Sequence, residues 1–205
     1  MNISSLKPEA IVNELFALYE KYGKKYVKGQ TFSQLEQVSQ AAALAEEEGY
    51  EDEVILAAFF HNIGSICANA DNENCVDVDH EKLGANYLRE FGFSERLATL
   101  VESDLKATRY LAYKYPEYYD SLSDAEKAQL ESHGGRMSKQ EAEDFVLDPD
   151  AELFIHLRYL NDKAKEARKP ILNIPHIKLL AMSHLYKIMD KYLPAYLISK
   201  PITQP

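Results

Sequence analysis

A seven-residue apolar run, residues 54–60, is the feature that most constrains how this chain can fold. It reads Val-Ile-Leu-Ala-Ala-Phe-Phe and ends at the polar pair His61-Asn62. A helix that is apolar on every side must be buried, because none of its faces can meet water favourably. The run therefore predicts a central helix over residues 51–64 that carries two polar side chains into the interior of the protein.

The rest of the chain also has the pattern of helices, and no stretch shows the alternation of a strand. Ser123 and Ser138 each stand three residues before a Glu, which is the spacing of a capping box at a helix start. A polar loop is expected over residues 68–78. The remaining helices are expected over residues 8–22, 31–48, 80–91, 94–114, 150–167 and 175–197, with a break at Pro194 as an option for the last. The sequence predicts an all-α bundle, with residues 1–205 as a single domain.

Charge and hydropathy narrow the range of partners. The net charge of −10 argues against nucleic acid as a partner, because binding its phosphates requires a basic face. No apolar run approaches the roughly 20 residues that span a bilayer. The N-terminal residues do not have the pattern of a signal peptide. We therefore expect a cytoplasmic protein with no membrane or nucleic-acid partner; the sequence indicates no oligomeric state.

Several motifs resemble those of one superfamily. The segment LAAFFHNIG is similar to LAALLHDIG, the motif helix of the HD superfamily, with Asn62 in place of Asp. Over about residues 26–165 the chain resembles the HD-domain mixed-valence diiron oxygenases that cleave the carbon–phosphorus bond of hydroxylated organophosphonates, relatives of myo-inositol oxygenase. The resemblance implies an HD-domain helical bundle. Further matches are His80-Glu81-x-x-Gly84-Ala85 to an HE-x-x-GA segment, residues 86–96, 109–111, 122–125 and 134–137, Arg158 and Lys163.

The metal ligands that the resemblance implies are mostly replaced. The family pattern is His, His-Asp, His, His and Asp, and only His61 and His80 of this chain match it. The other four positions fall at Gln37, Asn62, Asp104 and Asn161. Imidazoles and carboxylates suit iron, whereas amides carry no charge to offset two cations. We therefore expect no cofactor or, at most, one weakly bound divalent metal such as iron or manganese on His61, His80 and Asp104.

Two interpretations of this site remain open from the sequence. In one, the amides of Gln37, Asn62 and Asn161 hydrogen-bond with their neighbours, and a polar network replaces the metals. In the other, an altered and mononuclear metal site operates, and the chain is an active oxygenase or phosphohydrolase of the HD superfamily.

The substrate side implied by the resemblance has also changed. The family's phosphonate-contacting Lys falls at Thr108, and its small hydroxyl residues fall at Glu126 and Gln129. Arg158 is retained and suits an oxyanion. The alternative for Arg158 is a helix-surface ion pair with Asp162 or Glu152.

The function predicted from these residues is that of a catalytically degenerate HD-domain protein. It would bind a small molecule, with an anion as one option, or a protein partner. The family's gating Tyr-x-Gly-Glu resembles residues 26–30, Tyr-Val-Lys-Gly-Gln. No catalytic residue is predicted, and the predicted ligand-binding residues are Tyr26, Gln30, Gln37, Asn62, Arg158 and Asn161.

Overall fold

The computed structural model describes residues 7–24, 33–70, 79–166 and 174–192. Within these ranges the chain forms eleven α-helices and no β-strand, which confirms the all-α prediction. No helix in the described ranges is both long and apolar enough to cross a membrane. The helices are α1 (Pro8–Tyr22), α2 (Gln34–Glu47), α3 (Asp52–Phe60), α4 (Ile63–Ala70), α5 (His80–Glu90), α6 (Glu95–Lys114), α7 (Pro116–Ser121), α8 (Asp124–Ser132), α9 (Lys139–Phe145), α10 (Ala151–Glu166) and α11 (Ile174–Tyr192).

The apolar run lies at the centre of the bundle. Residues 54–60 are all buried in α3, which packs against α2, α6, α10 and α11. Aromatic side chains of α1 complete this part of the core, and the rings of Phe16 and Phe59 stack with their centroids 5.3 Å apart. The sequence therefore placed the central helix correctly.

The predicted end of that helix was wrong. The helix ends at Phe60, His61-Asn62 form a turn, and α4 continues to Ala70, within the predicted loop over residues 68–78. The Nδ1 atom of His61 donates to the Ala58 carbonyl oxygen at 2.8 Å. In a continuing helix that carbonyl would accept from the Asn62 N–H. The histidine side chain therefore competes with the backbone bond that would have carried the helix through the pair.

Two glycines let α4 and α5 approach closely. A Cβ atom on Gly64 would overlap the carbonyl oxygen of His80, and one on Gly84 would lie 2.9 Å from the Gly64 nitrogen. The backbone at the start of α5 consequently lies against the first turn of α4. Asp79 caps α5, since its Oδ1 accepts from the Lys82 N–H at 2.8 Å. This crossing fixes His80 close to the turn that holds His61.

Local capping decides several other helix ends. The capping boxes at Ser123 and Ser138 are both present, and a third, not predicted, starts α2 at Ser33. The short helix α7 was also not predicted; a proline in its first turn starts it. The option of a break at Pro194 lies outside the described residues. The single domain over residues 1–205 stays a prediction.

Candidate functional site

Asp104 of α6 is the centre of a buried polar network. Its Oδ2 accepts from Arg158 Nη1 at 2.8 Å, and its Oδ1 accepts from Asn161 Nδ2 at 2.8 Å. Arg158 and Asn161 lie three residues apart on α10 and so project from the same face. Burial would raise the pKa of Asp104, but the charge of Arg158, together with the hydrogen bonds from Arg158 and Asn161, outweighs it and holds that pKa below its ordinary value. Asp104 is therefore an ionised carboxylate with both oxygens engaged.

Arg158 is buried and its guanidinium is surrounded by acids. Its Nε donates to Tyr118 Oη at 2.9 Å and to Asp162 Oδ2 at 3.0 Å, and its Nη2 donates to Asp162 Oδ1 at 2.6 Å. Burial opposes its charge, yet Asp104 and Asp162 raise the pKa of Arg158 well above its ordinary value. The ion pair with Asp162 is thus present, as one interpretation expected, but Arg158 itself is buried, whereas Asp162 is partly exposed.

A second cation, Lys165, closes the network on the far side of Arg158. Its Nζ lies 2.6 Å from Glu126 Oε1 and 2.9 Å from Asp162 Oδ1. Glu126 also keeps its capping role, since its Oε2 accepts from the Ser123 N–H at 3.0 Å. Burial would raise the pKa of Glu126, but Lys165 and Ser123 lower it to about 2. The network thus holds three carboxylates against two cations.

A small cavity of about 90 Å³ adjoins this network, and Glu81, one of the residues that line it, was not predicted from the sequence. Glu81 accepts from Gln129 Nε2 at 3.0 Å through Oε1, while its Oε2 is buried without a hydrogen-bond partner among the described residues. Burial, together with the charge of Asp104, raises the pKa of Glu81 to about 7. Glu81 precedes the buried Gly84, Ala85 and Leu88 at helical spacing, which is the sequence signal that places it on the inward face of α5. The lining residues are Glu81, Asp104, Leu105, Thr108, Glu126, Gln129, Leu130 and Arg158.

His61 lies near Asp104, and neither His61 nor Asn62 lines the small cavity. Burial lowers the pKa of His61 despite the opposing charge of Asp104, so its imidazole stays neutral at ordinary pH. Asn62 Oδ1 accepts from the Tyr19 hydroxyl at 3.3 Å, and that hydroxyl also lies 3.3 Å from the Phe59 carbonyl oxygen. Burial lowers the pKa of His80 as well, and its Nδ1 is buried without a partner among the described residues. These groups are therefore neutral.

The structure joins only some of the residues predicted for the site. Asp104, Arg158 and Asn161 hydrogen-bond with one another, whereas Gln37 lies half-buried on α2. Tyr26 and Gln30 lie outside the described residues. Within the described ranges, no group of three or more His, Cys, Asp or Glu side chains is arranged to hold a metal ion. The assignment of His61, His80 and Asp104 as weak metal ligands, and that of the ligand-binding residues, stays a prediction.

Comparison with known proteins identifies the family. The family model described as HD domain matches residues 34–168. An uncharacterized protein of Acanthamoeba polyphaga mimivirus is 35% identical over 178 residues, which are 85% of this chain and 81% of that protein. The [1-hydroxy-2-(trimethylamino)ethyl]phosphonate dioxygenase (glycine-betaine-forming) of Leisingera caerulea is 30% identical over 95% of this chain and 98% of its own length. The hydroxymethylphosphonate dioxygenase of Gimesia maris is 31% identical over 78% and 81%, respectively. The chain therefore belongs to the HD-domain family and is related to organophosphonate dioxygenases.

Proposed function

We propose that this chain is an HD-domain protein without the dioxygenase chemistry of its relatives, in which a polar network has replaced the metal centre beside a small binding cavity. The observation that carries the proposal is the Asp104–Arg158 ion pair at 2.8 Å. Asp104 stands where the family pattern has a His, and its other oxygen is engaged by Asn161. The guanidinium supplies next to this carboxylate the positive charge that a metal ion would supply.

The remaining side chains support the same proposal through their lack of charge. Asn62 stands where the bridging carboxylate of the pattern would be, and it accepts a hydrogen bond from Tyr19. Two imidazoles and one paired carboxylate are too few charged or strongly donating ligands to repay the desolvation of two cations. These residues therefore do not fit a diiron centre.

The charges of the inner cavity indicate which ligands it favours. Its walls carry the carboxyl groups of Glu81, Asp104 and Glu126 against the single guanidinium of Arg158. A phosphonate would meet more negative than positive charge there, and Thr108 supplies no cation in place of the family's Lys. At about 90 Å³ the cavity is smaller than an ordinary ligand pocket of roughly 300–1,000 Å³. We therefore propose that the ligand of this cavity is a small molecule that is neutral or cationic.

An active enzyme with a single metal is the second candidate, and one observation favours it. His80 Nδ1 and Asn161 Oδ1 are both buried without a hydrogen-bond partner among the described residues. Each such unsatisfied atom costs about 1–3 kcal/mol. A bound cation or a water molecule would satisfy each of these atoms. The mononuclear enzyme requires a cation there, whereas the metal-free protein requires water.

Metal analysis of the protein purified without chelators separates the two candidates. We expect well under one equivalent of iron, manganese or zinc per chain. EDTA should leave the melting temperature unchanged, since a metal that is not bound cannot stabilise the folded state. One tightly bound equivalent, together with a fall in melting temperature when EDTA is added, would reject the proposal in favour of the mononuclear enzyme.

Rebuilding the family's ligand set tests the residue assignment. The variant Gln37→His, Asn62→Asp, Asp104→His, Asn161→Asp should fold, because Arg158 retains Asp162 and Glu126 as partners. It should take up iron or manganese that the unaltered protein does not bind, and the metal should raise its melting temperature. The matched control omits only Asn62→Asp and should bind less metal, because it lacks the bridging carboxylate. We expect no phosphonate cleavage from the quadruple variant, since Thr108, Glu126 and Gln129 still replace the family's phosphonate-binding residues. A folded variant that takes up no metal would show that these positions do not converge.

A further inference from the structure

A second and larger cavity, of about 700 Å³, lies along α10 and is lined on its other side by residues of α6, α7 and α8. We call it the outer groove. The α10 residues that line it include Glu152, Ile155, Tyr159, Asp162 and Glu166, spaced by 3, 4, 3 and 4 positions. Such spacing puts them on one face of the helix. The volume falls within the roughly 300–1,000 Å³ of small-molecule sites.

The carboxylates of the outer groove are of two kinds. The inner two, Asp162 and Glu126, are offset by Lys165 and by the buried Arg158. The outer two, Glu152 and Glu166, are exposed and have no hydrogen-bond or ion-pair partner among the described residues. Fourteen residues separate them, which is about 21 Å along a helix. Among the described residues, each end of the groove therefore carries a carboxylate that is not paired with a cation.

The wall between those two charges is largely apolar. Ile155 and Tyr159 of α10 face the groove together with Leu111 and Leu122 from the opposite side. Tyr159 is 53% exposed at the rim. The Lys163 ammonium lies over its ring, 5.6 Å from the centroid, and the exposed remainder of the ring is available to a ligand. Aromatic rings attract cations through their faces, and apolar side chains bury a hydrocarbon body. The net charge of −10 on the whole chain also favours the approach of a cation over that of an anion.

We propose that the outer groove binds a small organic cation with an apolar body. The ammonium group pairs with Glu152 or Glu166, and the hydrocarbon part lies against Ile155, Tyr159 and Leu122. The outer groove shares Glu126, Asp162 and Lys165 with the Asp104 network. The carboxylates proposed to pair with the ammonium group, Glu152 and Glu166, lie outside that network, so the site does not depend on whether the network has replaced a metal centre.

Titration calorimetry with hexylammonium tests this site, with hexanesulfonate as the anion of matched chain length. We expect the unaltered protein to bind the cation and not the anion. The double variant Glu152→Gln, Glu166→Gln should weaken binding up to about fivefold, since the ammonium group loses one exposed ion pair whichever carboxylate it contacts. Tyr159→Ser should weaken it through the loss of the apolar wall. The matched control is Glu14→Gln, which removes an exposed carboxylate of α1 outside the groove and should leave binding unchanged.

The two single variants separate binding from folding. Glu152 lies in the first turn of α10, where its charge favours the helix dipole, so Glu152→Gln should slightly lower the melting temperature. Glu166 is exposed and has no ion-pair partner among the described residues, so Glu166→Gln should leave the melting temperature nearly unchanged. Each single variant should weaken binding. Equal binding of hexanesulfonate and hexylammonium would overturn the proposal. So would a double variant that binds hexylammonium as tightly as the unaltered protein.

Discussion

The surroundings of Asn62 and those of Asp104 differ in kind. On the side of α1 and α3, Tyr19 is fully buried among phenylalanine rings and gives Asn62 a single hydrogen bond between neutral groups. The side formed by α6, α8 and α10 holds five charged groups in contact, namely Asp104, Glu126, Arg158, Asp162 and Lys165. The first side packs like an ordinary core, whereas the second side is polar and contains its own cations. Substitutions on the charged side should therefore cost much more stability than those on the neutral side.

The largest effect is expected from Arg158→Met. It leaves Asp104 buried without its cation, and breaking a buried pair in this way costs about 3–5 kcal/mol of unfolding free energy. Urea denaturation followed by circular dichroism measures the change. The control is Arg158→Met combined with Asp104→Asn, which removes both charges and should recover most of the loss. If the single and the double variant are equally destabilised, the energetic pairing of the two residues is refuted.

The next largest loss of unfolding free energy is expected from Tyr118→Phe. The Tyr118 hydroxyl accepts from Arg158 Nε at 2.9 Å and donates to Asp162 Oδ2 at 2.9 Å, so both of its partners are charged. Hydrogen bonds to charged groups contribute about 1.5–3 kcal/mol, and the loss should lie in that range. Arg158 and Asp162 also hydrogen-bond with each other, so the variant loses only the contribution of the two hydrogen bonds that the hydroxyl makes. The same denaturation measurement applies, and a loss below that of any variant on the neutral side would contradict the comparison.

Local rules explain which parts of this architecture could be read from the sequence. The apolar run of α3 and the capping boxes at Ser123 and Ser138 are encoded within a few residues, and both are present. The His61 side chain redirected the helix end by competing for a backbone carbonyl, which no pattern of apolar residues reveals. The helix α7 was missed because its six residues are too short for a periodic pattern.

The site itself depends on contacts between distant helices. The sequence left the role of Arg158 open between an oxyanion site and a surface pair. Its partner Asp104 is 54 residues away, and the pairing requires the packing of α6 against α10. Glu81 lies in the segment that matches HE-x-x-GA, and the resemblance gave it no role. Its helical spacing to buried residues nevertheless places it on the inward face of α5. Family resemblance thus indicated where the polar residues would gather, while the choice of partners followed from the packing.

A pH-dependent effect of intermediate size is expected from Glu126→Gln. Glu126 has a folded pKa of about 2, lowered from 4.5, so it stabilises the protein fully above about pH 4.5. That stability is lost as the pH falls from about 4.5 towards 2, because the folded state then gives up its paired carboxylate. After allowance for solvent screening of a side chain that is 30% exposed, we expect about 1–2 kcal/mol. Unfolding free energies measured between pH 3 and 6 should vary less in the variant than in the unaltered protein.

Glu141→Gln is the matched control for that measurement. Glu141 occupies the same position of the capping box at Ser138, and its pKa is likewise lowered to about 2, by hydrogen bonds to Ser138 and Arg109. It is more exposed than Glu126 and lies outside the Asp104 network. Its substitution should change the pH dependence less. An equal change in both variants would mean that the capping box, and not Lys165 or Arg158, accounts for the effect of Glu126.

Tyr19→Phe should have the smallest effect and is the neutral-side counterpart of Tyr118→Phe. Both substitutions remove one tyrosine hydroxyl, and Tyr19 is the more deeply buried of the two, but both partners of its hydroxyl are neutral and lie 3.3 Å away. Asn62 is half-buried, so its amide retains partial access to water after the change. We expect a loss of about 0.5–1 kcal/mol in the unfolding free energy, at the lower end of the range for single hydrogen bonds. A loss as large as that of Tyr118→Phe would indicate that Asn62 still needs a strong partner, as a site that retains metal-binding character would, and that the two sides are more alike than their charges indicate.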